Sequence, residues 1–161
     1  MPAYAFRPLT SADLPQMRRW LAQPHVAEWW GEPEAQVRLV ADDLREPAMK
    51  QFIVALGERA FAYIQCYDPD DWPPQPFGPQ PAGTCAIDQF IGEPDMVNCG
   101  HGSAFVRAFA DRLIEAGAPR VLTDPDPANR RAVRAYEKAG FRSERLVDTP
   151  DGPALLMRRD A

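Results

Sequence analysis

Two short segments of this chain carry residue types whose spacing could do chemistry. The first, Cys99-Gly100-His101-Gly102-Ser103, lies between a stretch of strand character and a long amphipathic run. Small residues at such a junction let backbone N–H groups approach a phosphate at a helix N-terminus, where the helix dipole also favours an anion. A glycine-rich turn that only redirects the chain has the same composition, and one pair of glycines does not separate the two. Two phosphate motifs are excluded: Phe105 stands where a dinucleotide fingerprint needs its third glycine, and no Gly-Lys-Ser/Thr follows for a P-loop. The second segment runs from Asp126 to Phe141. Within it Asn129 and Tyr136 are seven positions apart, about two helical turns, and so share a helix face. A tyrosine at that spacing, taken alone, is more often a core residue than a catalyst.

The elements that must position these segments follow from periodicity. Thr10-Ser11-Ala12-Asp13 reads as a capping box opening a helix with Leu14, Met17 and Leu21 on one face. Pro33 opens a second helix with Val37, Val40, Ala41 and Leu44 at helical spacing, ending before Pro47. Gln51 to Leu56 and Ala60 to Cys66 are β-rich runs around the turn Gly57-Glu58-Arg59. Residues 67 to 82 hold six prolines, with Asp68, Asp70 and Asp71 near Trp72, which excludes a strand or helix interior and predicts an ordered loop or flap. Gly83 to Ile91 is the next strand. Phe105, Val106, Phe109, Leu113 and Ile114 mark a long helix that ends near Gly117. Arg120 to Thr123 is a short strand, and Asp126-Pro127 reads as cap and first-turn proline of a helix that Gly140 terminates. Strands from Phe141 to Val147 and Ala154 to Arg158 close the chain around Pro150-Asp151-Gly152. The pattern implies an α/β (α+β) fold, a mixed sheet with helices on both faces.

Composition bounds the function. A chain of 161 residues fits one domain, residues 1–161, and 45% hydrophobic with 25% charged residues is ordinary for a globular protein. A net charge of −5 disfavours nucleic-acid binding, which relies on Lys and Arg neutralising phosphates. Met1-Pro2-Ala3-Tyr4 opens no basic-then-apolar leader and no run approaches a membrane span, so the expectation is a cytoplasmic protein with no membrane partner. Cys66, Cys85 and Cys99 form no CxxC pair, which argues against a disulfide framework or zinc site and predicts buried thiols. No metal is expected: neither His25 nor His101 has the companion ligands of a metal site.

Taken together, the two segments resemble the GNAT superfamily of N-acetyltransferases. Val97-Asn98-Cys99-Gly100-His101-Gly102 is similar to its Q/R-x-x-G-x-G/A motif, with Val97 where Gln or Arg is usual. Asn129 through Phe141 is similar to its N-x-x-A-x-x-x-Y-E-K-x-G-F segment. Within the superfamily the chain looks most like the aminoglycoside 6'-N-acetyltransferases, through the segments from His25 to Gly31, Ile87 to Gln89, Thr123 to Pro125 and Thr149 to Ala154. The resemblance spans roughly Phe6 to Arg158.

That resemblance implies a central sheet of about six to seven strands, splayed between the fourth and fifth, and acetyl-CoA as the acyl donor. It assigns Val97, Asn98, Cys99, Gly100, His101, Gly102 and Ser103, with Asp124, Asn129, Ala132, Tyr136 and Lys138, to the cofactor. Because the family holds the pyrophosphate with backbone amides of this loop, Val97 bears on affinity more than on function. Tyr136 becomes the general acid for the departing thiolate. Asp88 becomes an acceptor-contacting carboxylate, with Trp29, Trp30, Asp70, Asp71, Trp72 and Gln89 as further acceptor contacts. The acceptor is a small cationic amine, attacked directly in a ternary complex. Two alternatives remain open from the residues alone: an acyltransferase for a lysine-derived or siderophore precursor, and a noncatalytic acyl-CoA-binding module. The oligomeric state is not legible.

Overall fold

A computed structural model describes residues 3–161, so Met1 and Pro2 of the stretch inspected for a leader lie outside the described residues. Seven strands form one mixed sheet in the order β1-β2-β3-β4-β5-β7-β6. In chain order these are β1 (Tyr4–Pro8), β2 (Met49–Leu56), β3 (Arg59–Tyr67), β4 (Cys85–Ile91), β5 (Arg120–Thr123), β6 (Arg142–Thr149) and β7 (Gly152–Asp160). The helices are α1 (Leu14–Leu21), α2 (Pro24–Trp30), α3 (Pro33–Asp43), α4 (His101–Glu115) and α5 (Arg130–Lys138). β1 runs antiparallel to β2, β4 parallel to β5, and β7 antiparallel to both β5 and β6. Among the described residues no helix is long and apolar enough to cross a membrane.

Residue contacts divide the chain into two compact units, with β3 and β4 each contributing to both. The first unit takes Met1–Gln65 and Gln89–Cys99. Its core is built where α1 presents Met17, Trp20 and Leu21 beside Tyr63 and Phe90. Each such side chain removed from water contributes about 1.5–3 kcal/mol. The cap at the start of this unit is real: the Thr10 backbone N–H donates to Asp13 Oδ2 at 2.9 Å, and the box opens a short 3-10 turn, Ser11–Asp13, ahead of α1. Two elements were not anticipated from the sequence. β1 carries one buried residue in five, too weak an alternation to announce a strand, and its pairing with β2 is what makes it one. α2 is a seven-residue helix opened by Pro24.

The second unit takes Cys66–Asp88 and Gly100–Ala161. α4 buries Phe105, Val106, Phe109 and Ala110, the face anticipated from its spacing. The proline-rich loop is stitched down rather than loose. Phe77 is buried with Ala86, Leu122 and Leu156, and its N–H donates to Gln75 Oε1 at 2.7 Å. Gln80 donates to Phe77 O at 3.0 Å and accepts from Arg120 at 3.0 Å.

One boundary differs from expectation. Asp126 does not cap α5. Its carboxylate closes a local turn by accepting from Ala128 N at 2.9 Å, and Asn129 is the N-cap, accepting from Ala132 N at 3.2 Å. Pro127 therefore precedes the helix instead of opening it, because an Asx turn offers Asp126 a nearer donor than a helix would.

Candidate active site

β4 and β5 pair through only two residue couples, Cys85↔Val121 and Ala86↔Leu122. One further link joins them, the buried Thr123 hydroxyl donating to Ile87 O at 3.1 Å. Beyond it no further couples pair, and the next residues are aspartates: Asp88 within β4 and Asp124 just after β5. Both are half-buried. Ligands of open α/β sheets bind at the carboxyl ends of parallel strands, where loops diverge. Burial first, then the charge of Asp88 and that of Asp151, outweigh the Asp124 backbone hydrogen bond and push the Asp124 carboxyl up to about 8. Two like charges held close cannot both ionise cheaply, which favours a proton on Asp124, and a cation beside the pair would favour its release. Such an arrangement has the chemistry to suit an ammonium group and to accept a proton from it.

Tyr67, the last residue of β3, belongs to the same neighbourhood. Burial, followed by the charges of Asp88 and Asp124 and by Tyr136, holds its phenol far above the ordinary value, so it stays protonated. Its ring meets Trp72 edge-on at 6.4 Å. The Trp72 indole N–H is buried and has no hydrogen-bond partner among the described residues. Asp70 and Asp71 are exposed on the short turn before it, where Asp68 Oδ1 accepts from Asp70 N at 2.9 Å.

The glycine-rich segment forms the entrance to α4. Asn98 and Gly100 sit at φ 61° and 84°, in left-handed conformation, and Gly100 is the N-cap. The α4 N-terminus has no side-chain cap and no acidic residue in its first turn, so no carboxylate of that turn competes for the amides that a helix start leaves without internal acceptors. A Cβ built on Gly100 would meet nothing within 4 Å, so open space lies beside it. This cradle fits a pyrophosphate. Gly100, His101, Gly102 and Ser103 open it, with Val97, Asn98 and Cys99 preceding them in the chain, and Ser103 Oγ donates back to Gly100 O at 3.3 Å.

α5 shows why its sequence reads as it does. Gly140, at φ 98°, lets its own N–H reach Glu137 O at 3.0 Å and the Phe141 N–H reach Tyr136 O at 3.0 Å. That is a Schellman stop, and it brings Phe141 edge-on to the Tyr136 ring at 5.5 Å. Tyr136 is 3% exposed, so the glycine and phenylalanine at the helix end fix the ring of a buried tyrosine. Ala132 is half-buried and Lys138 exposed on the same helix.

The remaining sequence-derived candidates divide. Trp30 packs edge-on against Tyr63 at 6.1 Å and Phe90 at 5.1 Å and so fills the first unit's core, whereas Trp29 is 37% exposed. Gln89 is half-buried on β4. His25 ties α2 to the end of β4 through Nε2 and Ile91 O at 2.8 Å. Of the thiols only Cys66 is buried; Cys85 is half-buried, and Cys99 is exposed because it lies in the loop ahead of α4 instead of in a core strand. Among the described residues no cluster of three or more His, Cys, Asp or Glu could hold a metal. Tyr67 was missed because a tyrosine closing a strand resembles any core aromatic. That Asp124 stands with Asp88, and not only beside a cofactor, becomes visible once β4 and β5 are known to run parallel.

Comparison with known proteins identifies the family of the chain. Residues 10–149 match the family model described as "Acetyltransferase (GNAT) domain". The chain is 34% identical over 163 residues to the aminoglycoside N(6')-acetyltransferase type 1 of Klebsiella pneumoniae, covering 94% of this chain and 80% of that protein. It is 42% identical over 76 residues to a kanamycin resistance protein of Rhizobium radiobacter, covering 47% of this chain and 70% of that one. Among solved structures, AAC(6')-Ib in complex with paromomycin and acetyl-CoA superposes with a TM-score of 0.88 at 31% identity, over 98% of this chain and 93% of that one. AAC(6')-Ib with coenzyme A and kanamycin gives 0.88 at 30%, over 98% and 95%. A phosphate-fitting helix start, a sheet that parts at two aspartates and a buried tyrosine fixed by its helix stop thus occur in a chain that belongs to the GNAT acetyltransferase family.

Proposed function

We propose that this protein transfers the acetyl group of acetyl-CoA to a primary amine of an aminoglycoside-like sugar, by direct attack in a ternary complex. The observation that carries the reading is the pair Asp88 and Asp124, set where β4 and β5 stop pairing, with Tyr67 in electrostatic reach of both carboxylates and of Tyr136. The relatives named for aminoglycoside acetylation support the acceptor class, and the acetyl-CoA and coenzyme A complexes of AAC(6')-Ib support the donor.

The residues divide the work. The α4 N-terminus and the loop from Val97 to Ser103 hold the pyrophosphate through backbone amides. An N–H of β4 beyond Ile87, where the pairing with β5 ends, polarises the thioester carbonyl. Asp124 and Asp88 receive the acceptor ammonium, and the carboxylate that has become free takes its proton, directly or through water. The neutral amine attacks, the carbon–sulfur bond breaks, and Tyr136 protonates the departing thiolate. Asn129 spends its side-chain carbonyl on capping α5, which leaves its NH2 group as the donor toward the cofactor arm. Asp70, Asp71 and Trp72 meet further amines and the sugar face, and Trp29 and Gln89 are secondary acceptor contacts. The family match runs through both units, which supports a single catalytic domain. The cytoplasm, where acetyl-CoA is available and thiols stay reduced, is the compartment we assign.

The test is thiol release from acetyl-CoA with kanamycin, a linear polyamine and a lysine derivative as acceptors. Turnover with kanamycin that drops on Asp88→Asn is the expected result. Turnover restricted to the lysine derivative, or none with any amine despite coenzyme A binding, overturns the acceptor or the catalytic assignment respectively.

A further inference from the structure

The end of α5 is held by more than its glycine stop. A helix leaves its last four carbonyls without internal partners. In α5 the Schellman stop satisfies Tyr136 O and Glu137 O, through the N–H groups of Phe141 and Gly140. The other two carbonyls are taken by guanidinium groups from different elements. Arg107 of α4 donates to Lys138 O, and Arg159 of β7 donates to Ala139 O at 3.3 Å. Arg159 is fixed in turn: it donates to Arg107 O at 3.4 Å and pairs with the Asp111 carboxylate, both on α4. Its methylene chain lies against Gly140, where a built Cβ would come within 3.3 Å of Arg159 Cδ. Water could satisfy those two carbonyls equally well, but water would not tie α5 to α4 and β7.

From this geometry we propose that Arg159, assisted by Arg107 and oriented by Asp111, is a positioning residue that holds Tyr136 at the reacting thioester. The backbone carbonyl of Tyr136 and its ring partner Phe141 belong to the same helix stop that the two guanidiniums clamp, so the clamp sets how the last turn of α5 sits and therefore where the phenol stands, while Asn129 is held at the opposite end by its own cap. The site geometry of α4 enters as well, because the helix that receives the pyrophosphate at its start carries Arg107 and Asp111 further along. A displacement on the order of 1 Å at a reacting group is enough to cost about 100-fold in rate. This proposal rests on Tyr136 acting as the general acid.

The experiment is a double-mutant cycle between Arg159→Ala and Tyr136→Phe, run with acetyl-CoA and kanamycin, with coenzyme A affinity measured by calorimetry. The proposal expects Arg159→Ala to lower kcat by about 10-fold or more while coenzyme A affinity changes less than about 2-fold, because alignment and not binding is lost. Arg159→Lys, whose ammonium can serve one acceptor but not the fork, should recover part of the rate. In the Tyr136→Phe background the same Arg159→Ala change should cost almost nothing, since nothing remains to align. Equal losses in both backgrounds, or full kcat in Arg159→Ala, overturn the proposal. A Tyr136→Phe enzyme that works at full rate removes the acid assignment itself, which is distinct from a slow Tyr136→Phe enzyme beside a fast Arg159→Ala one. Should Arg159→Ala fail to fold, Arg107→Ala and Arg159→Lys run through the same cycle decide the question.

Discussion

Replacing Asp124 by asparagine should stabilise the protein at high pH and leave it unchanged in acid. The folded protein keeps the Asp124 proton up to about 8, whereas the unfolded chain releases it near 3.8. Between those values the native state binds more protons than the unfolded one, so stability falls as pH rises. It is full below the unfolded value, declines through the window and levels off above the folded one. A carboxyl moved that far corresponds to a ceiling of about 6 kcal/mol, at about 1.4 kcal/mol per pH unit. Asp124 is half-buried, so solvent screens it, and Asp88 shares the repulsion. The expected gain for Asp124→Asn is therefore about 2 kcal/mol above pH 8 and close to zero near pH 4. Urea unfolding of ligand-free wild type and variant at a series of pH values between those limits measures it directly. Asp88→Asn should flatten the wild-type decline as well, because it removes the neighbouring charge. A variant no more stable than wild type at pH 9, or one whose advantage is the same at both ends, refutes the argument that burial and Asp88 disfavour the Asp124 carboxylate.

Three other outcomes follow from the same structure. Kanamycin binding at pH 7 should release close to one proton, since an ammonium beside Asp124 restores the ionised form; calorimetry in buffers of different ionisation enthalpy reads this, and buffer-independent heats would contradict it. Phe77→Ala should raise the acceptor KM while leaving coenzyme A affinity alone, and cost about 3–5 kcal/mol in denaturant unfolding, because that ring anchors the proline-rich loop in the second unit's core. Gly92→Ala should cost about 3 kcal/mol or more, because its Cβ would stand 2.1 Å from Trp20 Cγ in the first unit's core; an unchanged unfolding midpoint would show that Trp20 moves freely.

The parts of this site legible in sequence are those made by local rules. The Asn129 to Phe141 segment carries its own helix cap, its own glycine stop and the ring pair that the stop creates, so its chemistry and its shape are written in adjacent residues. The loop from Val97 to Ser103 is similar, because left-handed Asn98 and Gly100 followed by small residues define a helix start whatever lies around them. Trp29 and Trp30 show the limit: the same residue type, adjacent in the chain, is exposed in one case and half-buried against the core in the other. β1 shows it too, since a strand with one buried residue exists only through its partner.

Sequence by itself determined the helices other than α2, most strands, the phosphate-fitting loop and the tyrosine-bearing helix, because periodicity, capping and turn chemistry act over a few residues. Tertiary structure alone decided that Asp88 and Asp124 face the same parted strand ends, that Tyr67 joins them and that Arg107 and Arg159 close the end of α5. Those relations depend on strand order and on which helix end meets which strand, and charges separated by dozens of residues shift one another's proton affinity only after folding has brought them together and removed the water between them.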